Sequence, residues 1–287
     1  MQQHAWKIGR GKVLGPAPFF IAGVVNVTPD SFYDGGKCAA TEDAVRHGRV
    51  LAGQGAHILD IGGESTRPFA EPVSEAEELR RVIPVVRELA KNVDGGLSID
   101  DSGPVVSVDT TKAEVARQAL QAGALIVNDV SACRFDPALL DVLVEYQPGY
   151  VLMHTQGGPR NMQRDPKYAD VVSEVSAFFE EQLGLLTEAG LKESRIVLDP
   201  GIGFGKTLEH NLAILQHIDR FRAFGLPVYV GLSNKSLWGG LLGLGVDSRQ
   251  EATVVATALM AAKGVAIHRV HDVSAADQAL KIVQAIA

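Results

Sequence analysis

The hydrophobic positions of this chain fall into eight short runs, rich in β-branched residues, that recur about every 30 to 40 residues. The segments between them carry apolar residues at helical spacing, so buried strands are predicted to alternate with helices. This alternation is typical of an α/β protein with a parallel sheet. Eight repeats predict that residues 1–287 form a single-domain (β/α)8 TIM barrel. The runs are 19–28, 57–64, 105–110, 125–129, 150–154, 196–199, 228–233 and 266–272.

Polar side chains terminate nearly all of these runs, although a buried strand does not require them. The parallel strands of a closed barrel end at one mouth, and barrel enzymes place their chemistry there. The polar ends therefore predict one site that is assembled from distant parts of the chain. They are Asn26, Asp60, Glu64, Asp109, Asn128, Asp129, His154, Asp199, Ser233, Lys235, Arg269 and His271.

Helix boundaries are predicted from capping residues and from glycines that follow helical patterns. Apolar spacing also predicts one long amphipathic helix over residues 169–189. The connections 29–40, 65–73 and 156–167 are too long for simple turns, and the first two are expected to lie over the mouth. The predicted helix starts are Ser74 with Glu77, Thr111 with Glu114, and Asp136 before Pro137, and the predicted stops are Gly123 and Gly190.

Composition narrows the partners and the compartment. The formal net charge of −7 disfavours a nucleic-acid surface, and the apolar share of 46% is compatible with a large core. Only Cys38 and Cys133 occur, too few for a disulfide framework, so a reducing cytoplasm is expected. No apolar run approaches the length of a membrane span, and residues 1–12 lack the apolar stretch of a signal peptide, so no membrane association is expected.

Two aspartates, Asp109 and Asp199, end apolar strands, and Asn128 ends a strand between them in sequence. An isolated aspartate in such a place would as readily cap a helix. Together, however, aspartate and asparagine can match the donors and acceptors of a planar heterocycle that carries ring N–H, amino and carbonyl groups. Lys235 adds a cation at the same mouth. These residues predict a site for a polar, flat ligand.

A basic pair ends the last run. Arg269 and His271 are two residues apart on a strand and share a face, which predicts an anion site unless they form a salt-bridged surface pair. His154 is as readily a satisfied core histidine as a ligand. Because no cysteine lies in a zinc-binding cluster, Mg²⁺ bound through a phosphate is the expected metal. No nucleophile elbow or Cys/His dyad is visible, so no covalent enzyme intermediate is predicted.

A glycine-rich segment, 201–207, follows a strand and precedes a helix, as phosphate-binding loops do. Its spacing excludes the known loops, because Pro200 stands at the first glycine of a Walker A motif and Lys206 at the last glycine of a dinucleotide fingerprint. We expect these glycines to let the backbone approach a flat ligand.

Seven motifs, taken together and in this order, resemble the dihydropteroate synthase family. They extend over nearly the whole chain, and the first two and the last are highly specific to that family. The motifs are 26–32 (NVTPDSF), 60–68 (DIGGESTRP), 107–110 (SVDT), 128–129 (ND), 153–154 (MH), 199–206 (DPGIGFGK) and 269–273 (RVHDV).

The resemblance implies a cytoplasmic transferase of folate biosynthesis. Such an enzyme joins 6-hydroxymethyl-7,8-dihydropterin diphosphate to 4-aminobenzoate and releases diphosphate, with Mg²⁺ as cofactor. The family is usually a homodimer, and the long helices after strands five to seven are expected to supply the dimer face. The implied catalytic residues are Asp109, Asp199 and Lys235; the pterin-binding residues are Asp109, Asn128, Met153, Asp199, Phe204 and Lys235; the diphosphate residues are Asn26, also implied for the metal, Arg269 and His271; the aminobenzoate and loop residues are Thr66, Arg67, Pro68, Phe204 and Ser233.

Two positions depart from the family pattern. Tyr33 stands where a serine is usual, and Asn234 stands where an arginine is usual. Because that arginine normally lines the aminobenzoate region, weaker aminobenzoate binding is expected. Two other functions share the pterin residues, namely a methyltetrahydrofolate:corrinoid methyltransferase and a non-catalytic pterin-binding protein. Arg269, His271 and Asn26 argue against the methyltransferase, because that enzyme needs no diphosphate site.

Overall fold

Strands and helices alternate along the chain after an initial hairpin. The computed structural model describes residues 2–27, 37–65, 71–91, 103–158, 162–163 and 165–286. Of residues 37–39 it describes the backbone alone. The strands are β1 (His4–Lys7), β2 (Val13–Ala17), β3 (Phe20–Asn26), β4 (Ile58–Gly62), β5 (Val105–Asp109), β6 (Ile126–Asp129), β7 (Gly149–Met153), β8 (Ile196–Asp199), β9 (Tyr229–Gly231) and β10 (Ile267–Val270). The helices are α1 (Lys37–Gly53), α2 (Glu75–Ala90), α3 (Ala113–Ala122), α4 (Leu139–Tyr146), α5 (Val171–Glu188), α6 (Leu208–Gln216), α7 (Ser236–Leu242), α8 (Gln250–Ala262) and α9 (Val273–Ile286).

The described strands β3 to β10 form one parallel sheet, in the order β8-β7-β6-β5-β4-β3-β10-β9. Its two outer strands meet, since Leu198 of β8 forms a parallel bridge with Val228 beside β9. The Leu198 amide also donates to the Pro227 carbonyl at 3.0 Å. The sheet therefore closes on itself, which confirms the predicted (β/α)8 TIM barrel. Each predicted run overlaps one of these strands.

The hairpin of β1 and β2 was not predicted, and it covers the amino end of the barrel. Trp6, Ile8 and Leu14 are each at most 3% exposed. They pack in one apolar cluster with residues at the amino ends of the barrel strands, such as Phe20 and Ile58. A larger apolar cluster contains residues of the strands and of the surrounding helices. Apolar side chains thus fill the amino end of the barrel, and polar side chains lie at its carboxyl end.

The predicted helix ends are only partly correct. Ser74 caps α2 by accepting from the Glu77 amide at 3.3 Å, as predicted. The capping box at Thr111 is wrong, because α3 begins at Ala113 and its first amide donates to the Asp136 carboxylate at 2.7 Å. Asp136 therefore serves the neighbouring helix with Oδ2, while its Oδ1 accepts from the Ala138 amide at 3.2 Å next to its own predicted helix.

Other ends of helices lie close to the predicted positions. α4 begins at Leu139, two residues after Pro137, instead of directly at it. Gly123 and Gly190 follow α3 and α5 with φ of 122° and 110°, which confirms both stops. The long amphipathic helix is α5. In the part of the chain that the structure describes, no helix is long and apolar enough to cross a membrane.

Candidate active site

A cavity of about 350 Å³ opens among the carboxyl ends of the barrel strands. Strand ends and the loops that directly follow them supply its walls, as the barrel geometry requires. All of the residues that sequence analysis assigned to pterin binding line it, together with Arg269. The lining residues are Asp109, Asn128, Val130, Met153, Asp199, Ile202, Phe204, Gly231, Lys235 and Arg269.

Arg269 is paired with two carboxylates, of which Asp109 lines the cavity and Asp60 does not. Its Nε donates to Asp60 Oδ2 at 2.6 Å, and its Nη2 donates to Asp109 Oδ2 at 2.7 Å. Burial alone would lower the pKa of Arg269, but Asp60 and Asp109 raise it above its ordinary value. The guanidinium is therefore fixed and partly neutralised by these two carboxylates, and the anion site predicted for Arg269 with His271 remains a prediction.

The cavity carboxyls are poised near neutral pH. Burial raises the pKa of Asp109 to about 7, with Arg269 opposing the shift, and raises the pKa of Asp199 to about 6, with the Gly201 amide opposing it. Burial lowers the pKa of Lys235 to about 8. Each group gains from a ligand that pairs with its charged form, because the protein itself compensates that charge incompletely.

Asp199 and Lys235, an acid and a base, both line the cavity. Asp199 Oδ1 accepts from the Gly201 amide at 2.8 Å, which leaves Oδ2 without a donor among the described residues. The Lys235 ammonium nitrogen lies 4.2 Å from the centroid of the Phe204 ring. This cation–π contact holds an aromatic wall next to a cation, an arrangement suited to a flat heterocycle.

The glycine-rich segment after β8 packs closely against the backbone of the loop after β7. Gly201 and Gly205 have φ of 68° and 59°, in the left-handed region. A Cβ on Gly201 would lie 1.9 Å from the His154 carbonyl oxygen, and one on Gly205 would lie 2.4 Å from the Gln156 carbonyl oxygen. The predicted close backbone approach is thus made to the loop after β7, and that contact is what requires glycine.

His154 belongs to this support, as the core-histidine reading predicted. It is 7% exposed, and its Nδ1 lies 2.9 Å from the Lys206 ammonium nitrogen. Lys206 also donates to the carbonyls of Gly201 and Phe204, both at 3.0 Å. Burial lowers the pKa of Lys206 to about 7 and that of His154 to about 2, so this pair carries its charge on the lysine. Sequence analysis assigned no role to Lys206, although its place after the last glycine was a usable signal.

Two other strand ends serve the protein and not the cavity. Asp129 accepts from the Ser131 amide and hydroxyl, from the Cys133 amide at 2.6 Å and from the Tyr150 hydroxyl at 2.9 Å, so all of its partners are protein groups. Glu64 forms an ion pair with Lys112. Lys112 was missed in the sequence, because nothing marks a lysine after β5 as an ion-pair partner for residues after β4.

Two of the residues implied for the diphosphate and the aminobenzoate, His271 and Ser233, contact each other. His271 Nδ1 is 2.9 Å from Ser233 Oγ, and its amide is 3.3 Å from the same oxygen, so the ends of β10 and of the segment after β9 are joined. Neither residue lines the cavity. Thr66, Arg67 and Pro68 lie outside the described residues, as does Tyr33. Their predicted roles remain predictions.

Asn26 ends β3, opposite Gly62 of β4, which in turn lies opposite Asp109 of β5. No described residue forms a hydrogen bond with its side-chain amide, so the amide oxygen is available to a ligand. Carboxamide oxygen is a suitable donor for Mg²⁺, which keeps most of its shell as water and phosphate oxygen. Among the described residues no group of three or more His, Cys, Asp or Glu could hold a metal without such help.

Comparison with known proteins identifies the family. The sequence profile described as pterin binding enzyme matches residues 22–271. The chain is 42% identical over 265 residues to the dihydropteroate synthase of Escherichia coli strain K12, covering 92% of this chain and 90% of that one. It is 43% identical over 276 residues to the dihydropteroate synthase of Mycobacterium leprae, covering 94% of each.

Solved structures agree with this result. A Xanthomonas albilineans dihydropteroate synthase with 4-aminobenzoic acid superposes with a TM-score of 0.89 at 42% identity, covering 99% of this chain and 98% of that one. The Yersinia pestis enzyme in a sulfonamide drug complex has a TM-score of 0.88 at 40% identity, covering 96% and 97%. The chain therefore belongs to the pterin binding enzyme family and, within it, to the dihydropteroate synthases.

Proposed function

We infer that the protein is a transferase of folate biosynthesis that condenses 6-hydroxymethyl-7,8-dihydropterin diphosphate with 4-aminobenzoate to give 7,8-dihydropteroate and diphosphate. One observation carries this inference: the side chains implied for the pterin converge on a single cavity in a chain that is 42% identical to a dihydropteroate synthase. Solved relatives contain 4-aminobenzoic acid in one case and 7,8-dihydropteroate in another. A substrate pair of this chemistry suits both the acids and the cations of the cavity.

We assign the pterin ring to the cavity itself. Asp199 and Asp109 accept hydrogen bonds from ring donors, and Asn128 offers an acceptor and a donor on the same wall. Lys235 donates to a ring acceptor. Met153, like Phe204, covers the apolar surface of the ring and keeps water away from it. These groups give the ring its orientation, which is most of what a transfer between two bound substrates needs.

The chemistry requires no protein nucleophile. Diphosphate is already a good leaving group, so carbon–oxygen cleavage needs neutralisation of the departing charge and stabilisation of the pterin cation that forms. The carboxylates of Asp109 and Asp199 lie where they can stabilise that cation electrostatically. The arylamine nitrogen then forms the new carbon–nitrogen bond and loses a proton.

We assign the diphosphate to the rim beside the cavity. His271, held against Ser233, and the outer edge of Arg269 supply the donors, and Asn26 is the residue that would hold Mg²⁺ together with the phosphate oxygens. Bound there, Mg²⁺ would neutralise charge on the leaving diphosphate. A metal dependence is testable by titrating Mg²⁺ into chelator-treated protein while measuring diphosphate affinity. We expect Asn26→Ala to weaken the Mg²⁺-dependent part alone.

We assign 4-aminobenzoate to the space beside Phe204, Ser233 and Lys235, and the family motif implies Thr66, Arg67 and Pro68 as its loop residues. This assignment rests on the family motif for the loop residues and on the position of Phe204 at the cavity wall. Lys235 next to the ring of Phe204 offers a cation for the carboxylate and an aromatic face for the ring.

We further propose that the protein is a cytoplasmic homodimer. Val255 and Leu259 lie one turn apart on α8 and are 59% and 56% exposed, and Leu241 and Leu242 at the end of α7 are exposed as well. Such a face, on helices that follow the seventh barrel strand, suits an isologous contact. Sedimentation velocity should show a dimer that Leu259→Glu converts to a monomer, while Val50→Glu, an exposed apolar position on α1, leaves it unchanged.

The deciding experiment is release of diphosphate that depends on 4-aminobenzoate. Release on addition of the arylamine, with stoichiometric formation of dihydropteroate, is the expected result. Binding of the pterin substrate without release would favour a non-catalytic pterin-binding protein. Methyl transfer from methyltetrahydrofolate to a corrinoid, without diphosphate release, would favour the methyltransferase.

A further inference from the structure

Asp60 lies directly beneath the cavity without lining it. It lies in the middle of β4, and its side chain is fully buried, with an exposure of 0%. Its carboxylate accepts three hydrogen bonds: from Ser107 Oγ at 2.7 Å, from Asn128 Nδ2 at 3.0 Å and from Arg269 Nε at 2.6 Å. Two of these donors belong to side chains that line the cavity. The family resemblance assigned Asp60 no role.

The contact with Asp60 determines which way the Asn128 amide faces. A carboxylate only accepts hydrogen bonds, so the NH₂ edge of the amide must turn toward Asp60 Oδ2. No described residue donates to the Asn128 amide oxygen, so that oxygen is left for a ligand. Without Asp60 the amide could rotate by half a turn and exchange its acceptor for a donor. A ring with fixed donors would then meet the wrong group.

The same carboxylate fixes the plane of Arg269. Asp60 holds Nε and Asp109 holds Nη2, so the guanidinium is gripped along two edges. With Asp109 alone the group could swing about a single contact. Asp109 would then lose the geometry in which it faces the cavity, because the two side chains are joined.

We propose that Asp60 is a positioning residue for the transfer reaction, which fixes the acceptor orientation of Asn128 and the plane of Arg269 in the pterin cavity. This proposal rests on the proposed function of that cavity. It separates Asp60 from Asp129, the buried carboxylate one residue beyond Asn128, whose four donors come from its own loop and from Tyr150.

The first test compares Asp60→Ala with Asp60→Asn. Alanine frees both cavity side chains, so we expect the Michaelis constant for the pterin diphosphate to rise about tenfold or more. Asparagine can keep an oxygen toward Asn128 and Arg269 and turn its NH₂ toward Ser107, whose hydroxyl can also accept. We expect it to restore most of the affinity. Where Asp60→Ala does not fold, Asp60→Ser replaces it, since a short hydroxyl cannot hold both partners.

Ser107→Ala is the matched control. It removes a hydrogen bond from the same carboxylate, but Ser107 does not line the cavity. We expect a loss of stability similar to that of other buried hydrogen bonds and a change in the Michaelis constant of less than about twofold. A loss of pterin affinity equal to that of Asp60→Ala would mean that Asp60 acts through general stability, and the proposal would be wrong.

A double-mutant cycle tests the route of the effect. If Asp60 acts through Asn128, the loss caused by Asp60→Ala should be at least about threefold smaller in an Asn128→Ala background. The same factor in both backgrounds would overturn the proposal. Calorimetry with pteroic acid gives the same comparison without turnover. A wild type that binds pteroic acid but releases no diphosphate would refute the proposed function while leaving the role of Asp60 decidable.

Discussion

The two ends of the barrel are built from the same eight strands, yet they bury opposite kinds of side chain. At the amino end, Trp6 and Leu14 of the hairpin close the barrel with hydrocarbon. At the carboxyl end, Asp109, Asp199 and Arg269 line the cavity. Apolar burial stabilises the first end, whereas removal of charged groups from water destabilises the second. The two apolar clusters thus stabilise the fold, and the charged groups of the carboxyl end oppose it.

The pKa shifts show how the buried carboxyls of the carboxyl end affect the stability of the fold. Burial raises the pKa of Asp109 to about 7 and of Asp199 to about 6. The folded state therefore holds these protons more tightly than the unfolded chain does. Their contribution to stability is fully present below about pH 4 and is lost as the pH rises toward 7. At neutral pH the two carboxylates oppose folding, and a ligand that pairs with them recovers that free energy.

The largest expected effect comes from Asp199→Ala at the polar end. We expect pteroic acid affinity to fall at least about 100-fold, because two hydrogen bonds to a charged acceptor contribute roughly 1.5 to 3 kcal/mol each. Asp199→Asn should also fail, since its amide presents a donor to a ligand donor. At neutral pH the free energy of unfolding should not fall in either variant, because the buried carboxylate opposes folding there. Calorimetry and thermal unfolding give both numbers, and unchanged affinity would remove Asp199 from the site.

Asp129→Ala is the control for this variant. The side chain is also buried, and four hydrogen bonds from protein groups already satisfy it. We expect the reverse pattern, with a large loss of stability and nearly unchanged pteroic acid affinity. This contrast also shows where sequence reasoning stops. Asp129 and Asp199 both end apolar strands, and the hydrophobic pattern does not distinguish them; only the family resemblance implies a pterin role for Asp199 and none for Asp129.

The fold was predictable because its signals are local. Eight apolar runs locate eight strands, and the run 196–199 coincides with β8. The hairpin was missed because β1 and β2 are four and five residues long and β2 contains Gly15 and Pro16, so neither produces a strand pattern. The partners of Asp60 were missed for a different reason. Arg269 is 209 residues away, and only the closed barrel brings the two together.

The second prediction concerns the apolar end. Trp6→Ala should lower the free energy of unfolding by about 3 to 5 kcal/mol, because it removes a fully buried ring and leaves a cavity. Denaturant unfolding measures this loss. The Michaelis constants should stay unchanged. Trp6→Phe keeps most of the volume but loses the hydrogen bond from Nε1 to the Arg195 carbonyl, at 2.7 Å, so it should cost only about 1 kcal/mol. A loss of pterin affinity in Trp6→Ala would contradict the separation of the two ends.

The third prediction concerns Arg269 in β10 and His271, the residue directly after this strand, and expects different effects from the two. His271→Ala should weaken diphosphate binding about tenfold and leave pteroic acid binding unchanged, because His271 does not line the cavity. Arg269→Ala should weaken both ligands, since it leaves Asp60 and Asp109 without their shared cation. Titration calorimetry with inorganic diphosphate and with pteroic acid decides between them. Equal losses of the two ligands in His271→Ala would move this residue out of the anion site.

The fourth prediction is a pH dependence with opposite signs for binding and for stability. Pteroic acid affinity should fall about tenfold per pH unit below 6, as Asp199 takes up a proton and stops accepting. It should also weaken above about pH 8, where Lys235 loses its proton. Over about pH 4 to 6 the contribution of Asp199 to stability should fall as affinity rises. Asp199→Asn should flatten the stability profile, and an unchanged profile would mean that this carboxyl does not titrate there.

The smallest expected effect is at Asn234, where the family usually has an arginine. Its backbone lies in the left-handed region with φ of 58°, a conformation that asparagine tolerates better than longer side chains do. Backbone hydrogen bonds hold it there: its amide donates to Thr253 Oγ1 at 3.3 Å, and its carbonyl accepts from Arg249 Nη1 at 3.1 Å. The backbone of residue 234 should therefore keep its position when the side chain is replaced.

Asn234→Arg should lower the Michaelis constant for 4-aminobenzoate by about threefold to tenfold, as expected for about 1 kcal/mol regained from a planar cation that stacks and donates in pairs. Pterin affinity should stay nearly unchanged, and stability should fall by about 1 kcal/mol because arginine is less suited to this backbone conformation. Asn234→Lys is the control: it adds the charge without the planar fork and should regain less. An equal gain with lysine would show that charge alone is missing. No gain with either would place Asn234 outside the aminobenzoate site, and the adjacent Lys235 would then supply the cation there.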